Sequence, residues 1–153
     1  MRALSFVSYA VGGRPAAAGL GAAGSWASDQ LAIDARPHSA EAHNSLGLVR
    51  AEKREYQQAE TLFQKALELR PDYAEALTDL AGVYLQTQRF REALPLLEKA
   101  RKLNPQFAQA YLNEARAYLA LGDKQKAISL LKELLSAQPQ NAVAADALRR
   151  LSQ

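Results

Sequence analysis

A chain of 153 residues that is 48% apolar can bury one core, and a net charge of only +3 gives it no strong basic excess with which to bind nucleic acid. It contains no cysteine, which excludes disulfide staples, thiolate metal sites and thiol catalysis. By segment the charge is −1, +1 and +1 over residues 40–73, 74–107 and 108–141 and +2 over the flanks, so no segment commits a face to one sign and no nucleic-acid partner is expected.

Residues 1–28 hold two arginines and no acid, with an apolar stretch over 3–11 behind Met1 and Arg2. Nine residues fall far short of the roughly 20 that a membrane-spanning helix needs, so no membrane span is expected. Arg14 interrupts the path from this stretch to small-residue cleavage sites at 16–18 or 22–24, which argues against a secretory signal. An acid-free, arginine- and alanine-containing leader also fits an organellar transit peptide, and a disordered Ala/Gly-rich tail fits equally well. Residues 1–24 therefore read as a disordered or targeting-like leader. Composition favours a cytoplasmic placement, and the leader leaves targeting open.

From there on, one period governs the chain. Pro37, Pro71, Pro105 and Pro139 stand 34 residues apart, and other positions keep the same register: Ala59, Ala93 and Ala127; Gly47, Ala81 and Ala115; Leu62, Leu96 and Leu130. Self-similarity at this period marks a helical solenoid. The three units are 40–73, 74–107 and 108–141.

Each unit reads as two helices. In the second unit Ala76, Leu80, Val83 and Tyr84 lie on one stripe at three- and four-residue steps, and Ala93, Leu96, Leu97, Ala100 and Leu103 form another, with a turn at 86–89 between them. Small residues at Gly47, Ala81, Ala115 and at Ala59, Ala93, Ala127 let the two axes approach closely. The recurring proline cannot continue a helix, so it ends one unit and starts the next. Asp72 with Glu75 is expected to form a capping box at one restart. Pro95 falls inside a second helix near its first turn, where its cost is smaller than the roughly 3 kcal/mol of a helix interior.

The ends are partial. Residues 25–37 fit the second helix of a preceding unit, because Pro15 and a run of glycines occupy the place of its first helix. Residues 142–153 fit a first helix alone, with Ala144, Leu148 and Leu151 inward and Asp146, Arg149 and Arg150 outward. Such a helix serves as a solvating cap, because each unit of a stack buries its apolar face only against its neighbours.

The strings AEAHNSLG, EYQQAETLFQKALELRP, RFREALPLLEKARKLNP and DKQKAISLLKELLSAQP resemble tetratricopeptide repeats in their small, large and proline positions. The resemblance covers 40–141 and implies an all-α, right-handed α-solenoid of antiparallel helix pairs. Three departures stand out. Glu114 replaces the leucine of Leu46 and Leu80, Arg50 the tyrosine of Tyr84 and Tyr118, and Lys124 the aromatic of Tyr56 and Phe90, so the third unit is expected to be looser.

No catalytic constellation accompanies this architecture. His38 and His43 are the only imidazoles, and His43 occupies the position of Leu77 and Tyr111, which makes it a packing residue. There is no HExxH pair, phosphate-cradling glycine loop or nucleophile elbow. The carboxylates alternate with Lys and Arg at helical spacing, as on a solvated face. The chain reads as non-enzymatic, with no cofactor and no metal.

The resemblance also implies a groove lined by the first helix of each pair, which binds a peptide segment or partner protein. Its expected lining includes Asn44, Leu48 and Glu52 in the first unit, Thr78, Leu85 and Gln86 in the second, and Gln109, Leu112, Arg116 and Leu119 in the third. Leu48, Leu85, Leu112 and Leu119 would form an apolar ridge, unless neighbouring first helices cover them. Family members that grip the acidic tails of heat-shock chaperones use a carboxylate clamp of Lys, Arg and Asn side chains. Those positions here hold Asn44, Leu48, Asp79, Gln109 and Asn113, and Asp79 would repel a carboxylate, so no clamp of that type is expected. The functional reading is a scaffold or assembly module with a peptide-binding groove. The alternative is a piece of a longer array, or a module that self-associates through its incomplete ends.

Overall fold

The computed structural model describes residues 22–36 and 38–153; what was expected of residues 1–21 and of Pro37 lies outside it. The described residues form eight α-helices and no strand: α1 (Ala22–Ala35), α2 (Ala40–Glu52), α3 (Tyr56–Leu69), α4 (Ala74–Gln86), α5 (Phe90–Leu103), α6 (Ala108–Ala120), α7 (Lys124–Ala137) and α8 (Ala142–Leu151). The pairs α2–α3, α4–α5 and α6–α7 each lie inside one 34-residue unit. α1 begins at Ala22, three residues before the boundary expected at residue 25. No described helix is long and apolar enough to cross a membrane.

The helix ends repeat with the period. After each first helix one residue takes a left-handed conformation: Arg54 and Gln88 at φ 61° and Gly122 at φ 84°. The next amide, of Glu55, Arg89 or Asp123, donates to the carbonyl of Arg50, Tyr84 or Tyr118 at 2.9, 2.7 and 2.8 Å. This six-to-one bond, together with the bonds from Arg54 to Ala51, Gln88 to Leu85 and Gly122 to Leu119, is a Schellman termination. Only the third turn uses the glycine that such a conformation favours. Between units, Arg70 and Asn104 are extended and Gln138, at φ −134° and ψ 76°, likewise leaves the helical region, which a following proline disfavours. Their carbonyls accept from Tyr73, Phe107 and Asn141 at 3.2, 3.0 and 3.0 Å, closing a turn around each proline.

The capping box expected at Asp72 and Glu75 does not form. Tyr73, not Asp72, takes the N-cap position of α4, and it makes no side-chain cap bond. Asp72 lies one residue too early and pairs with Lys99 at 3.3 Å instead. Side-chain caps occur where the acceptor falls at the cap itself: Ser39 accepts from the Ala42 amide, Asp123 from Lys126 and Asn141 from Ala144. α5 runs unbroken through Pro95.

Inside each unit the small residues sit at the helix crossing. Ala59, Ala81, Ala93, Ala115 and Ala127 are all buried. At Gly47 a Cβ would stand 2.6 Å from the Phe63 ring, closer than atoms can approach. The equivalents of Gly47 are alanines and the equivalents of Phe63 are Leu97 and Leu131, so the first unit trades a methyl on one helix for a larger ring on the other. Across units, α2 packs on α4 and α4 on α6, whereas no two second helices pack comparably. Helices that touch along one side only make the stack concave on that side, and the inner row is therefore α2, α4 and α6.

The charged substitution at Glu114 does not leave the third unit with an empty position. Its buried carboxylate receives the guanidinium of Arg101, from the preceding unit, at 3.0 Å, and Arg101 also reaches Glu133 at 3.1 Å and lies over the Tyr111 ring. Burial pushes the Glu114 carboxyl up, and Arg101 opposes the shift. His43 is buried, with Nδ1 2.9 Å from the Ser39 carbonyl, as a packing residue that carries one satisfied ring nitrogen.

Gly47→Ala is expected to cost about 1–3 kcal/mol through overpacking against Phe63. In a Phe63→Leu background the same change should become neutral or stabilising, because the helix-propensity gain of about 1 kcal/mol is no longer opposed. Denaturant unfolding of the four proteins measures this, and an equal cost in both backgrounds would show that Phe63 is not what Gly47 accommodates.

Candidate functional site

The inner row divides into a buried floor and an accessible end. Asn44 (5% exposed), Leu48 (9%), Thr78 (1%) and Leu85 (7%) are buried, so the apolar ridge expected along the groove is not a continuous exposed feature. Leu48 and Leu85 belong to the main core cluster with Phe63, Leu80, Val83 and Leu97. The reason is the direct packing of first helices on one another, which covers side chains that a single helix would present to solvent. Thr78 spends its hydroxyl on the Ala74 carbonyl at 2.9 Å.

The accessible residues lie mostly in the second and third units. Glu52, Arg116 and Leu119 are exposed, while Gln86, Gln109 and Leu112 are partly so. Leu85, Phe90, Arg116, Leu119 and Ala120 line a pocket of about 220 Å³ at the C-terminal ends of α4 and α6. Three of these five, Leu85, Arg116 and Leu119, belong to the lining that the resemblance implied; Phe90, at the start of α5, does not, although its aromatic position is shared with Tyr56. Among the described residues the Arg116 guanidinium has no carboxylate within ion-pair distance, and burial by its surroundings lowers its pKa although the side chain reaches water. A larger open trough of about 550 Å³, lined by Arg54, Glu55, Tyr56, Gln57, Gln58 and Thr61, lies at the start of α3 and away from the inner row.

Beneath the accessible end runs a buried polar seam. Asn44 Nδ2 donates to Asp79 Oδ2 at 3.0 Å across the α2–α4 contact, and Gln109 Nε2 donates to Asn113 Oδ1 at 2.9 Å along α6. Asn44 Oδ1 and Asn113 Nδ2 have no hydrogen-bond partner among the described residues. Burial pushes the Asp79 carboxyl from 3.8 up to about 7, against the lowering effect of the Asn44 hydrogen bond, and Glu75 adds to the rise. Asn113 occupies the Asp79 position one unit later, so the fold accepts a neutral amide there. Among the described residues no cluster of three or more His, Asp or Glu side chains could hold a metal ion.

Two tetratricopeptide repeat profiles match the chain, over residues 38–106 and 78–142, and together they span both the helix pairs and the inner row. The chain belongs to the tetratricopeptide repeat family. Among curated proteins no sequence matches it significantly. Among solved structures it is similar to MamA 41-end from Desulfovibrio magneticus RS-1, at 24% identity and a TM-score of 0.75 over 85% of this chain and 73% of that one. The first such domain of human RPAP3 is similar at 26% identity and a TM-score of 0.71, covering 76% of this chain and 92% of that one. The first TPR of Spaghetti (RPAP3), bound to the HSP90 peptide SRMEEVD, aligns at 24% identity and a TM-score of 0.71, over 75% of this chain and 91% of that one.

A folded-state pKa raised from 3.8 to about 7 makes Asp79 a pH-dependent liability. Its contribution to stability is fully present below pH 4 and is lost as pH rises through 7, a difference of at most about 4 kcal/mol. Asp79→Asn, which also brings an amide donor to the unpartnered Asn44 oxygen, should raise the melting temperature more at pH 8 than at pH 5. An equal gain at both pH values, or a loss at pH 8, would remove the buried charge as the cause.

Proposed function

We propose that the chain is a non-catalytic protein-interaction module whose concave inner face docks a peptide segment of a partner protein, as a scaffold or assembly subunit. The observation that carries this reading is the accessible end of the inner row, where the exposed Arg116, Leu119 and Ala120 line a pocket together with Phe90 and the buried Leu85. A rigid floor under accessible side chains reduces the ordering cost of binding. The lack of any convergent acid, base or nucleophile among these residues supports a role without chemistry.

The tail-binding mode that SRMEEVD exemplifies in the RPAP3 complex is not proposed here. At the positions that would supply cations stand Gln109 and Asn113, already bonded to each other, and Asp79, which is buried on Asn44. A second reading, association through the ends of the stack, draws on Leu31 at one end, 67% exposed, and Val143 at the other, 48% exposed. Sedimentation of the full chain with Val143→Glu distinguishes it, because end-to-end association should be weakened by the added charge.

The docking reading is tested by selecting binders from a random peptide library on the full chain. The selected peptides are then measured on Leu119→Glu and on Lys132→Glu, an exposed position of α7 on a second helix. Affinity should fall about tenfold or more for Leu119→Glu, the loss of an apolar contact combined with a buried charge, and stay unchanged for Lys132→Glu. Equal binding to both variants would reject the inner face as the working surface. Calorimetry with SRMEEVD should give no micromolar binding, and a micromolar affinity would overturn the exclusion of that mode.

A further inference from the structure

We propose that the Arg116 pocket selects partner segments in which a carboxylate side chain lies next to a bulky apolar one; this rests on the docking reading above. The pocket's lining is one cation among four apolar residues, Leu85, Phe90, Leu119 and Ala120. Three other arginines of the stack are engaged by glutamates, Arg50 with Glu55 at 2.7 Å, Arg89 with Glu60 at 2.8 Å and Arg101 with Glu114 at 3.0 Å, whereas Arg54 and Arg91, like Arg116, show no ion pair among the described residues. What sets Arg116 apart is its setting: it lines a pocket with apolar walls, which lower its pKa although the side chain reaches water, and it has no carboxylate partner among the described residues.

A guanidinium beside apolar walls has two unmet demands. It offers a planar fork of donors that matches a carboxylate bidentately, and a docked segment that covers the apolar walls would strengthen that pairing by excluding water. The walls in turn gain from covering an apolar side chain, and a space of about 220 Å³ admits one of leucine or phenylalanine size. The lining holds no second cation, which favours a carboxylate over a phosphate, since phosphate sites draw on clusters of arginines. The position of Arg116 also differs from its equivalents: the same place in the repeat holds Leu48 in the first unit and Gly82 in the second, so the charge belongs to one unit alone and Gly82 projects no side chain toward it.

The test measures anisotropy of labelled peptides on the full chain, with a phenylalanine or leucine flanked by Glu, Gln, phosphoserine or Lys. Wild type is compared with Arg116→Gln, Arg116→Glu and Leu119→Glu, each checked by thermal melts. Wild type should favour Glu over Gln peptides about tenfold, in line with a charge-assisted bidentate pair. Arg116→Gln should erase that preference, and Arg116→Glu should reverse it toward Lys. Peptides that lose affinity with Leu119→Glu yet ignore both the acid and Arg116→Gln would overturn the pocket assignment while leaving the docking reading intact. A preference for phosphoserine over Glu would overturn the carboxylate assignment. Failure of wild type to bind any peptide would reject the docking reading and this inference together.

Discussion

Everything in this stack depends on how closely the two helices of a unit cross. Where Gly47 faces Phe63, and Ala81 and Ala115 occupy the equivalent place opposite Leu97 and Leu131, the residue at the crossing sets the separation of the axes. That separation fixes the angle at which each pair presents its outer faces, and so whether α2 meets α4 and α4 meets α6. A wider crossing would push the first helices apart and expose Leu48 and Leu85, which are now covered by the core they share. The inner face is concave and firm because a constraint about one methyl group wide is repeated with a period of 34 residues.

The two buried carboxylates show how the stack tolerates charge in that core. Glu114 takes a leucine position and is compensated by Arg101 of the preceding unit, so the pair ties two units together. Asp79 has only the Asn44 amide, and its burial raises its pKa to about 7. The physical difference is partner type. An ion pair can offset the desolvation of both charges, whereas one amide hydrogen bond cannot, and protonation becomes the remaining way to lower the cost. Both groups sit at contacts between units, where a change of state alters the relation of neighbours and leaves the helices themselves intact.

The period, the eight helices and the small-residue crossings were legible because each follows from a local rule: proline ends a helix, spacing defines a stripe, and small residues permit contact. The left-handed positions were not, since Arg54 and Gln88 carry no mark of the conformation that Gly122 announces. The cap at Asp72 was misread by one residue, because the proline turn moves the start of α4 to Tyr73. The groove was legible as a set of helix faces but not as a surface. Periodicity identifies which side of α2 or α4 is apolar, but whether Leu48 and Leu85 face water depends on the next unit's first helix, which only the packed stack specifies. Arg101 was missed for the same reason, since its partnership with Glu114 spans two units.

On the docking proposal, discrimination falls to the third unit. The floor formed by Asn44, Leu48, Thr78 and Leu85 is committed to packing, so altering it would change stability before it changed recognition. Beyond that floor, Arg116, Leu119 and Ala120 reach solvent from the last full first helix of the stack, and only Leu85 of the core shows an edge to them. A residue there can vary without disturbing a helix crossing. Along its axis the stack therefore differs in what its inner face exposes: the first two units bury most of theirs as a packed base, and the third leaves side chains that can vary without disturbing that base.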